Sequence, residues 1–197
     1  MLIIGLTGGI GSGKSTVSEY LSKNMGLTII DADQIARDVT RPGQEILLKL
    51  REAFGSEIIN DDGTLDRRKL AGIAFQSDEK KKLLEKITHS AIREEINCRL
   101  RTSAAKHENA VVLDVPLLME SGIDGLCDTV WVVTTAKDVR IERVSARDGI
   151  TKEEINARIN AQISDRERFA RADEIIDNSG DKEALYREIE RLIKKYV

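Results

Sequence analysis

The chain reads as an α/β protein built on a five-stranded parallel sheet with helices on both faces. Short apolar runs alternate along it with segments whose apolar residues recur at helical spacing. Strands buried on both faces read as continuous apolar runs, and their alternation with helices makes a parallel sheet. The first run leads directly into Gly8-Gly-Ile-Gly-Ser-Gly-Lys-Ser15, a complete G-x-x-x-x-G-K-[ST] pattern, and a helical stripe follows at once. That order of strand, glycine loop and helix is a phosphate-loop fold with its anion site at the carboxyl end of a strand.

The expected strands are Met1–Thr7, Leu27–Asp31, Ala110–Val115, Thr129–Thr135 and Asp173–Asp177. The helix after the loop carries Val17, Tyr20, Leu21 and Met25 on one side. In the loop itself, Gly9, Gly11, Ser12 and Gly13 let successive backbone N–H groups turn toward phosphate. Lys14 offers a point charge to the β and γ groups, the Ser15 hydroxyl is a ligand for Mg²⁺, and Thr16 continues the amide cradle at the helix start. This chain therefore binds a nucleoside triphosphate.

Two connections are too long to be plain crossovers. About 80 residues separate Asp31 from Val111, where a connection in this architecture needs only a few residues beyond its helix. This is an inserted helical segment for substrate, 33–107. Its longest helix spans Glu79 to Lys106, with Leu83, Leu84, Ile87, Ala91, Ile92, Ile96 and Leu100 on one apolar face and Lys80–Lys82 solvated. The second connection, 137–171, is an arginine-rich helical lid. Arg140, Arg143 and Arg147 share a face by spacing, as do Arg158, Gln162 and Arg166. Two such stripes can close over triphosphate, with surface ion pairing as the alternative. The core is the remainder, 1–32, 108–136 and 172–197, and the whole is one kinase domain.

Phosphoryl transfer needs an in-line acceptor, neutralised charge and a carboxylate for the hydroxyl proton. Asp31 and Asp33 lie two apart at the end of the second strand, so in extended chain they point the same way, toward the loop. Asp33 lies farther out, nearer an incoming acceptor; capping the helix Gln34–Val39 is its alternative role. Asp114 ends the third strand where a carboxylate orients Mg²⁺ or its waters. Asp114-Val-Pro-Leu117 lacks the glycine of a D-x-x-G switch, and Thr134-Thr-Ala-Lys-Asp138 lacks the asparagine of N-K-x-D, which disfavours a GTPase.

Composition bounds the partners. There are 31 basic and 34 acidic residues for a net charge of −3, so no global positive excess recruits nucleic acid or an anionic membrane. No apolar stretch approaches membrane-spanning length, and the first strand opens at Met1 without room for a leader. Two cysteines, Cys98 and Cys127, without metal-ligand spacing suit a reducing compartment. A cytoplasmic protein, monomeric or a small homo-oligomer, is expected.

With these residues assembled, the chain resembles the dephospho-coenzyme A kinase family over nearly its whole length. The resemblance rests on Leu6 to Thr16, Ile30-Asp-Ala-Asp-Gln-Ile-Ala-Arg37, Gly63-Thr-Leu-Asp-Arg-Arg-Lys-Leu70, Asp114-Val-Pro-Leu-Leu118, Arg143, Arg147-Asp148, Ala161-Gln162 and Ile176-Asp-Asn178. It implies ATP- and Mg²⁺-dependent phosphorylation of the ribose 3′-hydroxyl of dephospho-coenzyme A, the last step of coenzyme A synthesis. It further implies Asp33 at the acceptor hydroxyl, Arg143 and Arg147 on the transferring phosphoryl group, and Asn178 near adenine. Leu117 and His89 would contact the acceptor, although Ser90 stands where the family has a proline after that histidine. A kinase of another small metabolite and a nucleotide-dependent switch are the alternatives.

Overall fold

A computed structural model describes residues 1–197. Five strands, β1 (Leu2–Gly8), β2 (Thr28–Asp31), β3 (Ala110–Asp114), β4 (Thr129–Thr134) and β5 (Glu174–Asp177), form one sheet in the order β2-β3-β1-β4-β5. Every pairing is parallel, with Ile4 beside Val112 and Thr129, Asp31 beside Asp114, and Val132 beside Ile175. All carboxyl ends therefore share one edge, and β1 delivers the glycine loop to the middle of it.

The chain divides into two compact units. The first, Met1–Asp31 with Ser103–Val197, contains the sheet. Its helices include α1 (Lys14–Lys23). Within the unit, Ile4, Leu6, Val112, Trp131, Val133 and Ile176 meet Val17 and Leu21 of α1 and Leu185, Ile189 and Leu192 of the last helix. Burying side chains of this kind stabilises by about 1.5–3 kcal/mol each. On the other face the methyl-free Gly5 lets Cys127 and Leu118 approach, since a Cβ there would lie 2.6 Å from the Cys127 sulfur.

The second unit, Ala32–Thr102, is helical. It comprises α2 (Ala32–Asp38), α3 (Glu45–Phe54), α4 (Arg67–Ala74) and most of α5 (Asp78–Ala105). Asp66 caps α4 by accepting from the amides of Arg68 and Lys69, each at 3.0 Å. Leu50, Phe54, Ile58, Leu70 and Ala74 make its core, against which Leu84 and Ile87 of α5 pack. Ala91, Ile96 and Leu100 of the expected apolar face are buried, but Leu83 is 40% exposed. Ser90 keeps its amide donor, so α5 continues unbroken where a proline would interrupt it.

The remaining helices of the first unit are α6 (Lys137–Asp148), α7 (Lys152–Asn160), α8 (Asp165–Ala170) and α9 (Lys182–Tyr196). Gly149 ends α6 with φ of 66°, and a Thr151–Glu154 capping box starts α7. No helix of the chain is long and apolar enough to cross a membrane.

Candidate active site

The glycine loop turns because two of its residues adopt backbone conformations open mainly to glycine: φ is 77° at Gly11 and 88° at Gly13. Gly13 precedes α1 without a side-chain cap, which leaves the first amides of that helix without a side-chain acceptor. Across the loop the Ser12 amide donates to the Gly9 carbonyl at 3.0 Å. Ser15 is exposed on the first turn of α1, and Thr16 donates its amide to Gly13 at 2.9 Å.

Around the loop stand side chains from the segment after β4. Arg140 of α6, only 3% exposed, donates from Nε to the Ile10 carbonyl at 2.9 Å and from Nη1 to Asp165 at 2.9 Å. Gln162 accepts the Ile10 amide at 3.0 Å. Asn178, just past β5 and buried, donates its side-chain amide to the Ser12 carbonyl at 2.8 Å, and Arg143 reaches the Asn178 carbonyl at 3.3 Å. The Ile10 side chain packs on Ile141, Val144 and Ile155. The packing leaves no space for a side chain at Gly9, where a Cβ would lie 2.3 Å from Arg140 Nη2.

At the carboxyl end of β3, Asp114 is ion-paired with Lys14. Burial pushes its carboxyl above the usual carboxylate range, opposed by Lys14 and by a hydrogen bond from Ser18. Asp31 beside it on β2 adds to the upward push. A low-dielectric pocket thus holds a matched pair that triphosphate, more highly charged than one carboxylate, can reorganise.

The segment 137–171 differs from the form expected of a lid. Arg140, Arg143 and Arg147 do lie on one helix, yet Arg140 is buried against the loop backbone while Arg147 is exposed and forked onto Asp148 at 2.7 and 2.9 Å. That contact holds the Asp148 carboxyl below its usual range. Arg158, Gln162 and Arg166 do not form a stripe, because α7 ends at Asn160 and Arg166 belongs to α8. Ser164 caps α8 by accepting from the Glu167 amide at 3.2 Å, which enforces the break.

Asp33 also departs from the extended reading. It lies in the first turn of α2, which starts at Ala32, so neither the strand alternation with Asp31 nor a cap before Gln34 describes it. Its side chain is exposed in the helical unit. Within that unit, a hollow of about 330 Å³ is lined by Gln34, Arg37, Arg41 and Arg67. A second, of about 360 Å³, is lined by Leu50, Leu70, Phe75, Ile92, Thr88 and His89. Thr40, Leu65 and Arg67 border both, so a basic chamber adjoins an apolar one. His89 thus lines the apolar hollow from mid-helix. Leu117 is 47% exposed in the turn after Pro116. The arginines of the basic hollow were missed in the sequence; the clue was Arg37 at the end of the D-A-D segment and Arg67 in Gly63–Leu70.

No cluster of three or more His, Cys, Asp or Glu residues could hold a metal by itself. Magnesium suits such a site, since it binds through one or two protein oxygens together with phosphate and water. Ser15 lies on the first turn of α1 next to Lys14, the partner of Asp114.

The chain matches the dephospho-CoA kinase family profile over residues 2–183. It is 48% identical to the dephospho-CoA kinase of Corynebacterium efficiens over 197 residues, covering 100% of this chain and 98% of that one. Among solved structures, a Thermus thermophilus protein superposes with a TM-score of 0.83 at 33% identity, covering 100% of this chain and 98% of the other. The dephospho-CoA kinase from Campylobacter jejuni does so with a TM-score of 0.74 at 30% identity, covering 98% and 96%. A phosphate loop at the central strand, a helical insertion after β2 and agreement over the full length lead to one conclusion: the chain belongs to the dephospho-CoA kinase family.

Proposed function

We propose that the chain transfers the γ-phosphoryl group of Mg-ATP to the ribose 3′-hydroxyl of dephospho-coenzyme A, giving coenzyme A and ADP. The observation that carries this reading is the pairing of a built phosphate loop with an insertion that holds adjoining basic and apolar hollows. Such an insertion fits an acceptor in which a pyrophosphate joins an adenosine to a long pantetheine arm.

In this reading the amides of Gly11, Gly13, Lys14 and Ser15 hold the ATP phosphates, and Lys14 leaves Asp114 to neutralise charge on the β and γ groups. Ser15 would hold Mg²⁺ and Asp114 its waters, and the metal would supply charge neutralisation at the phosphate oxygens. Asp33 takes the proton from the acceptor hydroxyl as the oxygen–phosphorus bond forms and the bond to ADP breaks. Arg143, against the loop, stabilises the transferring group; Arg147 does so after releasing Asp148. Arg37, Arg41 and Arg67 meet the acceptor pyrophosphate, while His89, Leu117 and the apolar hollow meet its remaining length. Helices α6 to α8 act as the lid, and the reaction is cytoplasmic.

Asp33→Asn tests the central role. The rate should fall by about two or more orders of magnitude with Mg-ATP affinity kept, as expected for loss of a positioned base. Turnover within a few-fold of the parent would remove Asp33 from the chemistry.

A further inference from the structure

We propose that Gln162 is a positioning residue for the phosphate loop, acting with Arg140 on the two peptide groups that flank Ile10. The proposal rests on the nucleotide-binding reading of Gly8–Ser15 and concerns how that site is kept in shape.

In a trans peptide the C=O and N–H point in opposite directions, so a bond to one fixes the other. The peptide joining Gly9 and Ile10 shows the effect. Its N–H is held outward by Gln162 at 3.0 Å, and its carbonyl, on the opposite side, accepts the Ser12 amide at 3.0 Å to close the turn. In the next peptide the Ile10 carbonyl is held by Arg140 at 2.9 Å. The Gly11 N–H is therefore directed away from Arg140. The same logic runs through the peptide of Ser12 and Gly13, where Asn178 holds the carbonyl at 2.8 Å and so turns the Gly13 N–H the other way. Neither glycine amide has a hydrogen-bond partner within the chain. Phosphate-directed amides are thus set by side chains that grip the backs of their peptides.

Gln162 is the part of this grip furthest from the sheet in sequence, and with Arg140 it comes from the segment between β4 and β5. It sits in the break between α7 and α8, and that break is braced. Arg168, 2% exposed, donates to Asp165 at 2.5 Å and to the Ile163 carbonyl at 3.1 Å, while Asp165 also receives Arg140. One carboxylate therefore ties the Arg140 and Gln162 contacts into a single frame. Gln162 touches backbone that faces away from the phosphates, which makes it a positioning residue and not a ligand.

Gln162→Met keeps length and loses the acceptor; Gln162→Glu keeps an acceptor oxygen. Two measurements decide the matter: amide exchange at Ile10 by NMR without nucleotide, and the split between KM for Mg-ATP and kcat. Gln162→Met should speed Ile10 exchange at least tenfold, leave strand amides in β1 and β4 unchanged, and raise KM about tenfold with kcat reduced less than threefold. Gln162→Glu should restore Ile10 protection. Unchanged Ile10 exchange and KM in Gln162→Met would overturn the proposal. So would a fall in kcat at unchanged KM, which would make Gln162 a partner of the reacting group. A parent chain that fails to bind Mg-ATP would instead overturn the site reading itself.

Discussion

Gly13→Ala places a methyl group 2.0 Å from the side-chain nitrogen of Asn178, at a residue whose φ is 88°. Two costs follow. A left-handed conformation costs a residue with a Cβ about 1–2 kcal/mol relative to glycine. The Asn178 amide is only 7% exposed and donates to the Ser12 carbonyl, so displacing it breaks that bond and leaves buried polar groups unpaired. That adds about 1–3 kcal/mol. The expected loss is about 2–5 kcal/mol, equivalent to a fall in Tm on the order of 10 °C for a chain of this size. Gly149→Ala is the control, since φ is 66° there but nothing lies within 4 Å of the added carbon; it should lose only about 1–2 kcal/mol. Urea denaturation followed by circular dichroism reads both, and titration calorimetry with Mg-ATP should show affinity lost in Gly13→Ala alone. Adding Asn178→Ala to Gly13→Ala should cost less than the two single losses summed, because the collision is already relieved. Equal losses for Gly13→Ala and Gly149→Ala would refute the collision argument.

Asp165 is the shared partner of two nearly buried guanidinium groups. Asp165→Ala should lose about 2–3 kcal/mol of stability, tempered by its own partial exposure, whereas Asp148→Ala, whose partners Arg147 and Arg158 are exposed, should lose less than about 1 kcal/mol. Similar losses for the two in urea denaturation would contradict the assigned burial. Thiol chemistry separates the cysteines: Cys98 is exposed, while burial raises the Cys127 thiol to about 12. Higher pKa means less thiolate, so at pH 8 a disulfide reagent should modify one thiol fast and the second about a thousandfold more slowly, the rate at Cys127 rising with pH until near its pKa. Two equally fast thiols in the folded protein would show that Cys127 is not packed against Gly5.

The strands were legible because a strand covered on both faces is a continuous apolar run, and each lies within a residue of its expected bounds. The glycine loop was legible for a similar reason, since its conformation demands residue types that few other structures require. What spacing could not convey was local breaks and burial. Gln162 and Arg166 fit one helical face on paper, but the Ser164 cap begins a new helix between them. Arg140 repeats with Arg143 and Arg147, yet it is buried because Asp165, 25 residues away, supplies its counter-charge. Asp33 read as extended because it follows a strand, and the helix starts one residue before it. Helices α3 and α4 do bury apolar residues at helical spacing, Leu47, Leu50 and Phe54 in one and Leu70 and Ala74 in the other, but the hollows they line depend on contacts between distant segments.

The account stands most directly on acceptor-dependent phosphoryl transfer. Purified protein with Mg-ATP should release ADP slowly alone and rapidly on addition of dephospho-coenzyme A, with the acceptor gaining the mass of one phosphate and becoming coenzyme A. ADP release that dephospho-coenzyme A does not stimulate, with the acceptor mass unchanged, would contradict the proposed reaction.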